Sequence, residues 1–279
     1  MARNLQDSGQ FSRLSVWNRS ASKCDELAKG GAVVAASPAE VVRQSDITFG
    51  MLADPQAASD VVFREGGVLD GLSGKKGYID MSTVDEATSK KISEAVVSRG
   101  GRFLEAPVAG SKKPAIDGTL VILAAGDKSL YEEALPAFEI MGKKSFLLGD
   151  VGTGANMKLV INMIMGSMLG ALCEGCALAE AGGLSQEDLL EILNISAMAS
   201  PLVKVAGASI LAREYPPAFP LKHAQKDMRL AIATGDRLNQ PLPIAAAANE
   251  KFKEAKAMNH ADDNFTAIYE ATTVNHRNK

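Results

Sequence analysis

The sequence has few cysteines, no excess of positive charge and no uninterrupted membrane-length run of apolar residues. Three cysteines in 279 residues are an odd number and too few for a disulfide framework. Thirty basic and 33 acidic residues give a net charge of −3, which provides no basic surface for nucleic acid or an anionic membrane. The longest apolar stretch, from Met157 to Leu178, is interrupted by Lys158, Asn162 and Glu174.

The start of the sequence contains no recognisable targeting segment. Its first residues resemble neither a secretory signal nor an arginine-rich transit peptide. We therefore expect a soluble protein with no nucleic-acid or membrane partner, cytoplasmic by default. An organellar location stays open if a targeting segment precedes this sequence.

Cys173 and Cys176 form a CEGC spacing that has two interpretations. A redox or metal-binding pair is one, and two ordinary reduced thiols of a protein core are the other. The pair lies in the middle of a predicted helix, with no second pair and no nearby histidine, which favours the ordinary thiols. We expect no metal site.

The first 150 residues alternate short apolar segments with helical ones. LSVWN, AVVAAS, DITFGML and GYIDMS read as strands, and each is followed by a helical segment. Continuous apolar strands joined by helices are typical of a parallel sheet covered on both faces. The pattern predicts an α/β, doubly wound (Rossmann-type) domain over residues 1–150.

From residue 151 to 279 the strand pattern stops and every segment reads as helix. The first helix is long and apolar on nearly all sides, and Gly182 and Gly183 predict its end. A helix that is hydrophobic all round belongs inside a bundle or against a partner subunit. We therefore predict an all-helical second domain that helps to form a homo-oligomer, either a dimer or a tetramer.

A polar stripe interrupts the long apolar helix. Lys158, Asn162, Gly166 and Gly170 recur every four residues, so they share one face. Either the glycines pack closely on another helix while Lys158 reaches the surface, or Lys158 and Asn162 face a substrate cleft between the domains. A lysine whose pKa is lowered by burial or a nearby cation can protonate a developing alkoxide.

The segment YPPAFPLKHAQKDMRL is a second candidate. Lys222 and Lys226 share a helix face, and Lys226 with Asp227 can either form a surface ion pair or reach a ligand. Spacing alone does not choose between these two interpretations.

The order and spacing of several motifs resemble one enzyme family. These motifs are VWNRS, MLADP, YIDMSTVD, FLEAPVAGSKKPAIDG, ILAAGD, GTGANMKLVINMIMGSMLGA and PPAFPLKHAQKDMRLAIATGD. Together they are similar to the β-hydroxyacid dehydrogenases related to 3-hydroxyisobutyrate dehydrogenase, and most of all to the plant-type glyoxylate/succinic semialdehyde reductases. The resemblance runs from about Met1 to Tyr269. It implies a second domain like the C-terminal domain of 6-phosphogluconate dehydrogenase.

The resemblance also implies what should stand before Met1. Family members begin with a strand and a GxGxxG turn that holds the cofactor's phosphates, and MARNL matches the later part of the helix that follows. We therefore expect a first domain that lacks its first strand and the phosphate loop. That strand lies at the centre of the doubly wound order, so its two neighbours should each lack a partner.

Cofactor residues follow from the resemblance, position by position. An arginine stands after the second strand, where NAD-specific proteins place an acidic residue, so NADP(H) is the implied cofactor. The implied cofactor-binding residues are Asn18, Arg19, Ser20, Met51, Leu52, Thr83 and Lys226.

Catalytic and substrate residues are implied in the same way. Lys158 matches the family's catalytic lysine, and Asn162 matches the amide beside it. Substrate-binding positions match Gly110, Ser111, Phe219 and Asp227. The family's PVSG motif reads PVAG here, so Ala109 removes one hydroxyl donor for a substrate carboxylate.

The implied activity is NADPH-dependent reduction of glyoxylate to glycolate and of succinic semialdehyde to 4-hydroxybutyrate, with Lys158 as proton donor. A 3-hydroxyisobutyrate-type dehydrogenase is an alternative, although Arg19 argues against its expected preference for NAD. A catalytically impaired or non-enzymatic member is the other alternative, because the family includes chromatin-associated relatives and the phosphate loop is missing here.

Overall fold

The computed structural model describes residues 1–273, which form two compact units. The first is Met1–Lys158, and the second begins at Leu159. The first unit contains strands and helices, and the second contains helices, so the predicted fold class is confirmed.

The strands of the first unit form two sheets. They are β1 (Ser15–Val16), β2 (Val33–Val34), β3 (Ile47–Gly50), β4 (Gly77–Asp80), β5 (Arg102–Glu105), β6 (Val108–Ala109), β7 (Leu120–Gly126) and β8 (Gly142–Leu147). β1 and β2 pair in parallel. The larger sheet has the order β3-β4-β5-β7-β6, and β8 pairs with β7. All residues of β4 are buried, as expected for an apolar strand that is covered on both faces.

The helices of the first unit begin where local sequence signals place them. They are α1 (Ala2–Asp7), α2 (Asp25–Lys29), α3 (Pro38–Gln44), α4 (Pro55–Phe63), α5 (Val68–Gly71), α6 (Glu86–Ser98), α7 (Lys112–Asp117) and α8 (Lys128–Met141). Ser37, Asp54, Asp85 and Asp127 each cap a helix by accepting a hydrogen bond from the backbone N–H three residues further on. Proline at the first position of α3 and α4 adds a second start signal.

The larger sheet is mixed, whereas the sequence pattern predicted a parallel one. β7 runs antiparallel to both β5 and β6, and parallel to β8. Residues 110–119, which connect β6 to β7, include only the short helix α7. A parallel connection needs a crossover of about a dozen residues or more, so this link returns the chain antiparallel.

The β1–β2 pair and the larger sheet are two separate sheets. Within residues 1–273, β1 pairs only with β2, and β3 pairs only with β4. In the doubly wound order that the family resemblance implies, the first strand would lie next to both β1 and β3.

The second unit is a helical bundle around one apolar core. The long helix α9 (Thr153–Ala181) enters it from the first unit, and α10 (Gln186–Ile195), α11 (Pro201–Ala212), α12 (Leu221–Arg237), α13 (Pro243–Ala257) and α14 (Ile268–Thr272) follow. A Cβ atom on Gly166 would lie 2.5 Å from the Met228 sulfur, so α9 and α12 approach closely there. This agrees with the close packing predicted for the glycines of the polar stripe.

One face of α9 is apolar and exposed. We call Val160, Ile164, Met168 and Leu178 the α9 apolar stripe, because these side chains are between 43% and 74% exposed and follow helical spacing. The opposite face contributes Leu169 and others to the core. By length and apolar composition α9 is also long enough to cross a membrane, unlike the expectation from its interrupted run. A core helix of a soluble protein passes the same criteria.

Cys173 and Cys176 are buried free thiols in this core, which agrees with the ordinary interpretation of the CEGC spacing. Burial raises the pKa of both thiols. Among the described residues, no group of three or more His, Cys, Asp or Glu side chains is arranged to hold a metal ion.

Candidate active site

Most of the first-unit candidate residues lie in loops that follow strands. Asn18–Ser20 come after β1, Met51 and Leu52 after β3, and Thr83 shortly after β4. In doubly wound sheets ligands bind at the carboxyl ends of the strands. The structure therefore places the implied cofactor residues at the end of the strands where binding is expected.

The loop after β1 presents donors suited to a phosphate group. The Ser20 backbone N–H donates to Asn18 Oδ1 at 2.9 Å, which forms a tight turn with Arg19 at its exposed tip. The Arg64 guanidinium lies 4.8 Å from the centre of the neighbouring Trp17 ring. The Arg19 guanidinium and the neighbouring Ser20 hydroxyl match the chemistry of a ribose 2′-phosphate.

The loops after β3 and β4 are joined through Ser82. The Leu52 backbone N–H donates to Ser82 Oγ at 2.8 Å, and the Ser82 backbone N–H donates to Asp80 Oδ1 at 2.9 Å. This connects Met51 and Leu52 to the segment that contains Thr83. Neither Ser82 nor Asp80 was among the residues predicted from the sequence, although an aspartate at the end of an apolar strand was a visible signal.

Asp80 is buried and only partly hydrogen-bonded. Its Oδ2 atom has no hydrogen-bond partner within the described chain. Burial raises the pKa of this carboxyl above its ordinary value of 3.8, and the hydrogen bonds from Ser82 only partly oppose this effect.

Gly110 and Ser111 lie between β6 and α7. Gly110 has a φ of +124°, and a Cβ atom there would lie 2.9 Å from both Leu120 and Pro114. Glycine is therefore required by both the backbone conformation and the available space. Ser111 is exposed and precedes the first residue of α7.

Lys158 lies near the start of α9 and is only 7% exposed, so the alternative interpretation in which it reaches the surface is wrong. The start of this helix is bound by Glu105, the last residue of β5. Glu105 Oε1 accepts hydrogen bonds from the backbone N–H groups of Gly152 at 2.8 Å, Gly154 at 2.8 Å and Ala155 at 3.1 Å.

The other oxygen of Glu105 is also occupied, because Oε2 accepts from the Ser89 hydroxyl. Burial raises the pKa of Glu105, while the donated hydrogen bonds act in the opposite direction. Glu105 was not among the residues predicted from the sequence. An acidic residue at the end of the apolar strand RFLE, and the glycines of GTG at the helix start, were the available signals.

Asn162, Lys226 and Asp227 come together in the second unit. Asn162 Nδ2 donates to Asp227 Oδ2 at 2.6 Å. Lys226 Nζ lies 3.1 Å from Asp227 Oδ1 as an ion pair, without the angles of a hydrogen bond. The Lys226 and Asp227 side chains are 11% and 2% exposed, so this is a buried pair and the surface interpretation is wrong.

Lys222 and Phe219, which belong to the same motif YPPAFPLKHAQKDMRL, have other partners. Lys222 forms an ion pair with Asp262, an exposed partner, and does not belong to the buried cluster. The Phe219 backbone N–H donates to Asn264 Oδ1 at 3.1 Å, and its ring lies 5.5 Å from that of Phe265. The segment before α12 is therefore held by residues 264 and 265.

Comparison with known proteins decides the family. Residues 1–149 match the NAD binding domain of 6-phosphogluconate dehydrogenase, and residues 152–272 match the NAD-binding domain of NADP-dependent 3-hydroxyisobutyrate dehydrogenase. The chain is 56% identical over 271 residues to glyoxylate/succinic semialdehyde reductase 1 of Arabidopsis thaliana, which covers 97% of this chain and 93% of the relative. The chain belongs to the β-hydroxyacid dehydrogenase family. It is therefore an oxidoreductase, and its cofactor is NADP(H).

A second group of relatives consists of proteins named as nuclear factors. The cytokine-like nuclear factor N-PAC of Homo sapiens is 50% identical over 258 residues, which cover 92% of this chain but only 47% of that protein. Among solved structures, 3-hydroxyisobutyrate dehydrogenase from Salmonella typhimurium has a TM-score of 0.86 at 23% identity, covering 96% of this chain and 94% of that one. At that identity the likeness shows the fold alone.

The loop after β1 carries groups that would suit one end of the cofactor. Arg19, Ser20 and Asn18 offer a cation, a hydroxyl and an amide, which are groups that would bind the 2′-phosphate of NADP(H). No GxGxxG sequence occurs in the 279 residues, so none of them supplies that loop for the diphosphate.

We predict that Asp80→Asn removes a pH-dependent destabilisation. Because the folded-state pKa is raised above 3.8, the folded protein holds a proton that the unfolded chain has released between the two pKa values. The wild type should therefore lose stability relative to the variant as pH rises through that window, by about 1.4 kcal/mol for each pH unit that separates the two pKa values. Urea unfolding of both proteins between about pH 3.5 and pH 7 measures this difference, with the exposed Asp7→Asn as control. Curves that stay parallel would contradict the prediction.

Proposed function

We propose that this chain reduces glyoxylate to glycolate and succinic semialdehyde to 4-hydroxybutyrate with NADPH. The observation that carries the proposal is the 56% identity, over 97% of the chain, to a relative named for these two substrates. Both substrates are aldehydes that carry a carboxylate, so the same polar groups can bind either one.

Lys158 is the proposed proton donor. Reduction of an aldehyde adds a hydride to the carbonyl carbon and a proton to the oxygen, and NADPH supplies the hydride when bound. An ammonium within hydrogen-bond reach can deliver the proton as the alkoxide develops. The burial of Lys158 supports this role, because a water-excluded donor interacts more strongly with developing charge.

Asn162 is proposed to act beside Lys158, one helical turn further along α9. Asp227 orients its amide by accepting the 2.6 Å hydrogen bond from Nδ2. Lys226 is proposed to serve the nicotinamide end of the cofactor, with its charge balanced by Asp227.

The remaining roles divide between the two ligands. Gly110 and Ser111 are proposed to bind the substrate carboxylate through backbone N–H groups and the Ser111 hydroxyl, with Phe219 as an apolar contact. The proposed cofactor-binding set is Asn18, Arg19, Ser20, Met51, Leu52 and Thr83.

We predict that Lys158→Met lowers kcat for both aldehydes by about 10²- to 10⁴-fold, the usual contribution of a general acid. Steady-state kinetics with NADPH measures this, and NADPH fluorescence checks that cofactor binding is retained. Lys253→Met is the matched control, because Lys253 is an exposed lysine paired with Glu250.

A Lys158→Met kcat within tenfold of wild type would overturn the proton-donor role. If the folded wild type reduces neither aldehyde, the substrate proposal fails. Oxidation of 3-hydroxyisobutyrate with NADP⁺ or NAD⁺ then tests the alternative dehydrogenase, and inactivity there favours the non-enzymatic alternative.

We predict that Arg19→Ala raises the KM for NADPH by about tenfold or more, while the KM for NADH changes little. A lost hydrogen bond to a charged group costs about 1.5 to 3 kcal/mol, and only NADPH has the 2′-phosphate. Arg13→Ala is the control, because Arg13 is exposed and donates to Gln44. Equal effects on both cofactors would assign Arg19 another role.

The α9 apolar stripe is proposed to form the interface of a homo-oligomer. Exposed apolar side chains at helical spacing are typical of a face that another subunit covers. A second copy of α9 offers the same apolar surface, as a twofold interface requires.

We predict that Ile164→Glu converts the oligomer to a monomer, because the interface would have to bury a charge. Light scattering after size-exclusion chromatography should give two or four times 29.3 kDa for the wild type and about one times that mass for the variant. Val97→Glu, an exposed apolar position on α6, should keep the wild-type mass. A monomeric wild type would contradict the proposal.

A further inference from the structure

Glu105 joins three segments of the first unit. It ends β5, it accepts the hydroxyl of Ser89 from α6, and its Oε1 atom accepts three backbone N–H groups at the start of α9. The carboxylate is 2% exposed, so these bonds lie in a dry environment where hydrogen bonds to a charge are strong.

The start of α9 is unusual in depending on a residue that is distant in sequence. The first N–H groups of a helix have no partner inside it, and a nearby Ser, Thr, Asp or Asn usually satisfies them. Here the acceptor precedes the helix by 47 to 50 residues. The hydrogen bonds therefore bind the helix start to the sheet and not only to its own loop.

Gly154 shows how closely the helix start lies against the sheet. A Cβ atom on this residue would lie 2.5 Å from the carbonyl oxygen of Leu123 in β7 and 3.1 Å from Glu105 Oε1. A contact below 3.0 Å with a backbone atom forces a displacement, so glycine is required at this position.

Lys158 lies one turn beyond Gly154 on the same helix face. An α-helix transmits a shift of its first turn to the next one, because its hydrogen bonds fix the rise per residue. Glu105 also precedes Gly110 by five residues. One side chain thus connects the helix that carries Lys158 to the segment proposed to bind the substrate carboxylate.

We propose that Glu105 is a positioning residue that fixes Lys158 relative to Gly110 and Ser111. The inference rests on the proposed function, in which Lys158 gives the proton and the two other residues bind the substrate. Glu105 does not act on the substrate itself. It acts by holding the first turn of α9 in one place.

Glu105→Gln keeps the side-chain length and removes the charge. We expect it to lower kcat by about 10- to 100-fold, because small misplacements of a reacting group cost up to about 10²-fold. The KM for NADPH should stay within about twofold, since Glu105 forms its hydrogen bonds with Ser89 and the start of α9 and not with the implied cofactor residues. Ser89→Ala is the matched control: it removes a hydrogen bond from the same carboxylate but leaves the helix start bound, so kcat should stay within about twofold.

Gly154→Ala tests the same idea without altering the carboxylate. It displaces the helix start from β7 and should lower kcat in the same way. If Glu105→Gln does not fold, this variant carries the test. Both variants retaining the kcat of Ser89→Ala would overturn the positioning role, even if both lower the melting temperature.

A readout independent of turnover separates this inference from the proposed function. In lysine labelled with ¹³C at Cε, the Lys158 signal is assigned by its loss in Lys158→Arg. Glu105→Gln and Gly154→Ala should shift this signal and speed amide exchange at Gly152, Gly154 and Ala155, whereas Ser89→Ala should not. An inactive wild type with these shifts would refute the proposed function alone, and an unshifted Lys158 signal would refute the role of Glu105.

Discussion

The hydrogen bonds from the start of α9 to one buried carboxylate are the constraint on which this structure most depends. A helix start buried in a protein needs acceptors, and Glu105 provides one oxygen for three N–H groups. Its negative charge also interacts favourably with the positive end of the helix dipole. Lys158 lies buried about one turn further along the helix. The same side chain thus ends β5 and binds the start of α9.

The second unit uses a different solution for its buried polar groups. Asp227 is shared between the amide of Asn162 and the ammonium of Lys226, so the polar groups of these three side chains balance one another. Breaking such a buried arrangement leaves an uncompensated charge, which costs far more than an exposed ion pair contributes. The cluster therefore fixes the side-chain conformations of two adjacent helices, while apolar packing, as at Gly166 and Met228, brings the helices together.

Features set by local sequence could be predicted, and features set by distant contacts could not. Helix starts followed from caps such as Ser37 and Asp127, which act within three residues. The antiparallel direction of β7 depends on the length of a connection, which the alternating pattern does not encode. The sequence showed an acidic residue at the end of RFLE, but not the partners of Glu105, because these lie 16 and 47 to 50 residues away. The burial of Lys158 was likewise hidden, because a lysine near a helix start can equally reach solvent.

Similarity of fold does not decide activity in this family. The Arabidopsis reductase and the nuclear factor N-PAC are 56% and 50% identical to this chain. Proteins with different names thus share similar sequences in this family. A family member with only a structural role does not require a buried lysine, because an apolar side chain at that position would avoid the cost of removing a charge from water. Lys158 is nevertheless buried near the start of α9. The proposed proton transfer accounts for that placement, while the family match is what shows an oxidoreductase.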